Sequence, residues 1–172
     1  GDNIVRISRS AINFTNLRFF NCSGRIEDSE LAGNPKGQYA SAGFSVDLGS
    51  WELDNVTLGS RTAEFERMEK EYREGPSSVI DGYYEDNLDW GQTNLGIAIN
   101  AENLSCRNIR VFGYGCSLDA NATLDISQSH FIRSQPDMHC WGNLALLDNF
   151  FVFTYHVNLA GGKMVAENNT FS

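Results

Sequence analysis

Apolar and polar residues alternate in short runs along most of this chain, and the alternation returns in a fixed frame. In six places two apolar or small residues, two apart, are followed two residues later by an amide. Another apolar residue usually comes three positions further on. The frames are Ile12/Phe14/Asn16/Phe19, Trp51/Leu53/Asn55/Leu58, Leu104/Cys106/Asn108/Val111, Leu124/Ile126/Gln128/Phe131, Ala145/Leu147/Asn149/Val152 and Met164/Ala166/Asn168/Phe171. The last four amides, at 108, 128, 149 and 168, are 20, 21 and 19 residues apart. A period near twenty with strand-like alternation is the signature of a stacked solenoid.

A second alternating frame precedes each amide by roughly half a period: Val5/Ile7, Val46/Leu48, Ile97/Ile99, Leu118/Ala120, Met138/Cys140 and Val157/Leu159. Two short strands and a polar turn in about twenty residues describe one coil of a parallel β-helix, with each inward side chain resting on its counterpart one coil away. The turn amide fits this picture, because Asn tolerates unusual backbone angles and can donate and accept along the stack. On this reading Asn55 and Asn168 point inward.

Two stretches interrupt the period. Residues 24–39, with Gly33-Asn34-Pro35 and Gly37, read as a polar loop, a degenerate extra coil being the competing explanation. Residues 59–95 form the longer insertion and contain a helix predicted over Ala63 to Glu74, capped by Ser60 or Thr62 and stopped by Gly75-Pro76. Phe65, Met68 and Tyr72 share its apolar face, while Glu66/Lys70 and Glu69/Arg73 form i,i+4 pairs. An acidic, aromatic segment follows, Asp81 to Trp90. The last frame stops in mid-coil, so a longer parent, an oligomer or an adjoining chain is expected to cover that end.

Composition narrows the class. With 172 residues, 41% of them apolar, the chain is expected to form a single folded domain, 1–172. A formal charge of −9 argues against nucleic acid and against anionic membrane surfaces as partners. No apolar run approaches the roughly 18 residues of a membrane span. Among four cysteines, Cys106 and Cys140 fall on inward positions and read as buried thiols, whereas Cys22 and Cys116 read as turn residues. A Cys116–Cys140 bridge is conceivable. Asn-x-Ser/Thr triplets occur at Asn13, Asn21, Asn55, Asn103, Asn121 and Asn168. With Asn55 and Asn168 assigned inward, Asn13, Asn103 and Asn121 are the candidate glycosylation sites.

The frames, above all Leu124-Asp-Ile-Ser-Gln-Ser-His-Phe131 and Met164-Val-Ala-Glu-Asn-Asn-Thr-Phe171, resemble the right-handed parallel β-helix proteins of the pectate-lyase-like superfamily. That superfamily includes polysaccharide lyases, glycoside hydrolases and bacteriophage tailspikes. The resemblance covers about 120 residues and implies an all-β, right-handed parallel β-helix with one inserted helix and loop. It also implies polysaccharide or cell-surface glycan partners and, for tailspikes, a homotrimer. The catalytic motif of no single enzyme of the family matches this chain, and a fold alone is a weak functional warrant.

Alternation fixes which residues of the amide-framed strands face outward. It puts Asp54, Arg107, Asp125, His130 and Asp148 on one exposed face. If Asp125 and Asp148 are offset by one coil and two residues, their Cα atoms lie ~8 Å apart. That spacing suits the acid and base of an inverting glycosidase. Arg107 would then orient a uronate or sulfate, His130 would line the face, and Tyr83, Tyr84 or Trp90 would stack on a sugar ring. No cofactor or metal site is expected, since the three histidines lack ligand spacing. Calcium at Glu85, Asp86 and Asp89 is the one ion considered, on the precedent of similar lyases. The chain is thus read as an extracellular or virion-surface module that binds, and in its enzymatic version depolymerises, polysaccharide. The alternative is a non-catalytic adhesive spike in which the helix is a rigid spacer.

Overall fold

The computed structural model describes residues 3–33, 42–59, 62–74, 95–112, 115–132, 134–152 and 157–171. Every described strand pair is parallel, and each strand pairs with the stretch of chain one coil later. The resulting sheet curls through 272°, as a half-barrel does. The fold is therefore all-β and solenoid-like.

Register resolves the sheet into three ladders. Face A stacks β1 (Ile4–Ser8), the first half of β4 (Ser23–Gly33), the first half of β6 (Ser50–Leu58), and the second halves of β7 (Leu95–Arg107), β9 (Gly115–Ser127), β11 (Gln135–Leu147) and β13 (Asn158–Glu167). Face B stacks β2 (Ala11–Phe14), the ends of β4 and β6, then β8 (Arg110–Phe112), β10 (His130–Ile132), β12 (Phe150–Val152) and β14 (Thr170–Phe171). Face C stacks β3 (Asn16–Phe20), β5 (Ala42–Asp47) and the first halves of β7, β9, β11 and β13. One coil runs from A through B to C.

The core is the set of inward columns. On face A Ile26, Leu53, Cys106, Ile126 and Leu146 follow one another, all buried. On face B the column is Leu31, Leu58, Val111, Phe131 and Phe151, and on face C it includes Val46, Ile99, Leu118 and Met138, with Ala101, Ala120 and Cys140 in the next inward column. Trp51 fills the width of face A, and Gly24 one coil below makes room for it: a Cβ there would lie 2.5 Å from the indole. The indole N–H donates to Cys22 O at 2.9 Å.

The corner between A and B is turned by one residue in the left-handed region, at Arg9, Asp28, Asn55, Asn108, Gln128, Asp148 and Asn168 (φ 48° to 57°). From 108 onward these are spaced by 20 residues each time. Asn16 and Asn149 are therefore not members of the turn column, and Arg9 and Asp28 are. Sequence alternation slips by one in the sixth coil, where Leu144 and Leu146 are the buried pair and Ala145 and Leu147 are half-buried. The turn residues also point outward. Asn168 is exposed, and Asn55 is half-buried in a ladder in which Asn108 Nδ2 donates to Asn55 Oδ1 (3.1 Å) and Asn55 Nδ2 to Asp28 Oδ1 (2.8 Å). The left-handed residue interrupts strict alternation, so its side chain swings to the outer edge of the corner.

The inward amide is the next residue along. Asn149 is buried, its Oδ1 accepts from Ser129 N at 2.9 Å, and its Nδ2 donates to Ile126 O at 2.9 Å and Asn169 Oδ1 at 3.0 Å. Asn169 repeats the pattern one coil on, accepting from Asn149 N and donating to Leu146 O. In the second and fifth coils serine takes this place: Ser29 Oγ accepts from Ser10 N, and Ser129 Oγ from Ile109 N.

Three further readings of the sequence are corrected. The predicted loop over 24–39 is strand as far as Gly33, the extra coil considered beside it. Leu48 is a turn residue at φ 70° and Phe44 takes its place in the core, because the strand ends at Asp47. Cys116 lies on an inward position of β9, buried, and all four cysteines are free. The inserted helix α1 (Thr62–Glu74) forms over the predicted range.

Candidate functional site

The five residues assigned from sequence to one exposed face are distributed over three places. Asp54, Arg107 and Asp125 stand outward on face A. There Arg25 gathers Glu27 (2.8 Å), Glu52 (3.1 Å) and Asp54 (3.8 Å), and Arg107 sits 4.0 Å from Asp54. These exposed pairs are worth little individually, and they leave Arg107 already facing a carboxylate. Asp125 pairs across the sheet with Ala145, so Asp148 is three positions further along and in the turn. Their Cα separation becomes ~11 Å rather than ~8 Å. Register, which the one-residue slip had hidden, therefore loosens this pair as an acid–base couple.

His130 lies around the corner, outward on face B and beneath α1. Phe65 of α1 closes a second small core with Phe112, Ile132 and Val152, with Phe150 packed against it. At its rim His130 Nδ1 meets Glu69 Oε1 at 2.5 Å, Arg73 reaches the same oxygen at 2.7 Å, and the Arg73 guanidinium sits 4.0 Å over the Phe150 ring. Burial of Glu69 disfavours its charge, but the hydrogen bond and charge of His130, with those of Arg73, outweigh it and hold the carboxyl below the usual range. His130 is thus a fastening for the helix. A carboxyl with a lowered folded pKa stabilises above the ordinary Glu value of about 4.3 and loses that contribution as pH falls through the lowered value. Glu69→Gln is expected to cost about 2 kcal/mol near pH 6, and the gap to wild type should narrow in urea melts taken towards pH 3. A gap independent of pH would refute this account of the clasp.

The face that gathers chemistry is C, which sequence reasoning passed over. Outward along β11 stand Asp137, His139 and Trp141 in alternation, and outward along β9 stand Ser117 and Asp119. His139 Nε2 is 3.0 Å from Asp137 Oδ1 and its Nδ1 3.5 Å from Asp119 Oδ1, while Ser117 Oγ donates to Asp119 Oδ2 at 2.9 Å. Asp119 pairs with His139, and Ser117 with Asp137. The two aspartates are thus offset by one strand and two residues, which puts their Cα atoms ~8 Å apart. Trp141 is 80% exposed at the end of this row.

Beside the row runs a shallow trough of ≈ 480 Å³ along the stacking direction. Gly43, Gly96 and Gly115 are successive partners in register and form its floor, Ser45, Ala98 and Ser117 its next column, and Arg18 and Asp137 its two ends. Glycine on an exposed sheet position removes the side chain that would fill such a groove. The sequence carries part of the signal, since Gly96 stands one position before Ile97 of the second frame, whereas Gly43 and Gly115 precede Phe44 and Cys116, which that frame leaves out. It was missed because only the amide-framed strand was searched for a site.

Tyr83, Tyr84, Trp90 and the acidic residues Glu85, Asp86 and Asp89 lie outside the described residues. Asn13 and Asn121 are exposed, with Asn121 Nδ2 donating to Glu102 at 3.1 Å. Asn103 is half-buried and held from both sides, by Ser50 at 3.1 Å and Thr123 at 2.8 Å. Among the described residues no three imidazole, thiol or carboxylate groups converge as metal ligands would. Burial raises the Cys106 thiol far above its usual range and lifts that of Cys116 to about 12, which rules both out as nucleophiles. No family model matches the chain, and neither a curated protein nor a solved structure does so.

Proposed function

We propose that the protein is an extracellular or virion-surface module that binds polysaccharide on face C. The observation that carries this reading is the axial trough with an exposed Trp141 at the end of a polar row. A sugar ring offers an apolar face to an indole and hydroxyls to carboxylate, imidazole and serine groups, and such a row supplies both. We read the coil as a right-handed parallel β-helix of the pectate-lyase-like kind, because parallel strand crossovers are right-handed almost without exception. A tailspike-like homotrimer belongs to the same reading. Its hydrolytic form assigns acid and base to Asp119 and Asp137, whose spacing suits an inverting hydrolase.

The test is binding to a panel of polysaccharides, with reducing ends measured in the same incubations to detect depolymerisation. Stacking a sugar on Trp141 removes about 80 Å² of apolar surface from water, or about 2 kcal/mol. Trp141→Ala is therefore expected to weaken binding about thirtyfold with the melting temperature unchanged. Equal affinity in the variant would move the site off face C.

A second reading, a rigid non-catalytic spacer, is supported by the ladders of polar side chains that cross-link successive coils, such as Ser50–Asn103–Thr123 on face A. It predicts no affinity for any member of the panel.

A further inference from the structure

We propose that Asn121 carries an N-linked glycan whose first sugar lies over Trp141, so that this modification decides whether the site on face C is open. The inference rests on the reading of Trp141 as a sugar platform and adds a modification site and a regulation to it. Seventeen asparagines and 23 serines or threonines in 172 residues would give about two Asn-x-Ser/Thr triplets by chance, and the chain has six. The fold separates them. Asn55 accepts from Asn108 and Arg110 and donates to Asp28, and Asn103 donates to Ser50 and accepts from Thr123, so a glycan on either would crowd a ladder between coils.

Asn121 is exposed at the corner from face C to face A, with described coils on both sides of it. Its Nδ2 spends one hydrogen on Glu102 Oε2 at 3.1 Å, and the other is the one that glycosylation replaces. In that transfer Nδ2 bonds to C1 of a lipid-linked oligosaccharide, the C1–O bond to its pyrophosphate breaks, and a proton leaves the amide. The remaining N–H keeps the bond to Glu102.

What such a glycan meets is on the next coil. Ala120 pairs with Cys140 and Thr123 with Asn143, which sets Asn121 opposite Trp141, one strand spacing or ~4.8 Å away. On the other side of Trp141 the chain runs Gly161-Gly162, and a Cβ on Gly162 would come within 2.6 Å of Trp141 O. Lys163, opposite Asn143, is the first side chain on that coil past the corner, and Trp141 is left 80% exposed. The first sugar on Asn121 is therefore the group that covalent structure itself delivers to the indole. Its apolar ring face stacks as a free sugar's would, and the tether makes the contact intramolecular, at an effective concentration of the order of mM. A polysaccharide competing for the same face binds more weakly, in proportion to the fraction of molecules whose indole is covered.

The test compares the full chain secreted from a eukaryotic cell behind an added signal sequence with the same chain made in bacterial cytosol, where no N-glycan is attached. Peptide mass mapping after enzymatic release of glycans in heavy-oxygen water reads occupancy, and oxidation by N-bromosuccinimide, followed at the Trp141 peptide, reads cover. Asn121 is expected to be occupied in most secreted molecules, with Trp141 oxidised roughly fivefold or more slowly than in the bacterial protein. Asn121→Gln, which lacks the acceptor, should oxidise at the bacterial rate, whereas Thr123→Ser, which keeps it, should stay protected. Asn13→Gln, which removes a triplet on face B, should leave the protection as it is. For any polymer of the panel that the bacterial protein binds, the secreted form should bind roughly fivefold or more weakly. An empty Asn121, equal oxidation rates with and without its glycan, or equal affinity of the two forms overturns the inference and leaves polysaccharide binding by the bacterial protein intact. Protection of Trp141 with no polymer bound by the bacterial protein removes the function proposed above and keeps the glycan as what the indole receives. Thermal melts confirm that each variant is folded.

Discussion

Phe131→Ala should destabilise the protein by about 4 kcal/mol, a large part of what a domain of this size possesses. Phe131 is fully buried in the middle of face B and stacks on Phe151 with ring centroids 5.0 Å apart and planes 12° apart. Phe151 in turn stacks on Phe171 at 4.7 Å and 4°. Removing the Phe131 ring leaves a cavity between Val111 and Phe151 that cannot collapse, because the coils above and below are fixed by their own strand pairing. Phe171→Ala is the control, since that ring is 57% exposed and its loss should cost no more than about 1 kcal/mol. Urea denaturation of both variants checks the claim, and equal losses would mean that the column is not packed as described.

Asn149→Ala comes next, at about 3 kcal/mol. The substitution strands the buried Ser129 N–H, which costs about 1–3 kcal/mol when left without a partner, and removes a second bond to Ile126 O. Asn149→Ser should recover part of the loss. A serine hydroxyl at the matching place in other coils already accepts the same kind of bond, from Ile109 N at 3.2 Å and from Ser10 N at 3.1 Å. It cannot reach Ile126 O as the amide does, so recovery should be incomplete. If Ser and Ala at this position melt alike, the acceptor is not what matters there.

These two positions also show how far the sequence could be read. The period was legible because the turn residues 108, 128 and 168 are amides in regular apolar frames, and Phe131 and Phe171 were placed in the core from the same pattern. The sixth coil was misread because both Asp148 and Asn149 are turn-like residues, and the eye follows the amide although the carboxylate occupies the left-handed position. In the first coil the amide Asn16 likewise stands apart from the true corner residue, Arg9, and in the second the corner residue Asp28 lies inside the stretch read as a polar loop. One slipped residue was enough to draw Asp125 and Asp148 together, whereas His130 stands outward as its frame requires and is covered by α1. Asp119, His139 and Asp137 were each visible, but their proximity depends on the pairing of β9 with β11, which only register supplies. Helix α1 was legible from its own periodicity, but what it covers was not, because Phe112, Ile132 and Val152 lie outward on three separate coils.

The coils differ in length by many residues at one corner, and by a single residue at the C-to-A corner, where the register shifts between Ala101 and Asn103 and between Cys140 and Asn143. From A to B the chain always spends a single left-handed residue, whereas from B to C the connection is Thr15 in the first coil, 34–41 in the second, 59–94 in the third and two residues, 113–114, in the fourth. Both A and C keep their parallel pairing whatever is spliced between B and C. Lineages of this protein could therefore lengthen, exchange or delete whole segments at that corner without a compensating change elsewhere. Since it borders the glycine floor of face C, each such splice would alter the rim of the groove while the stack beneath stays as it is.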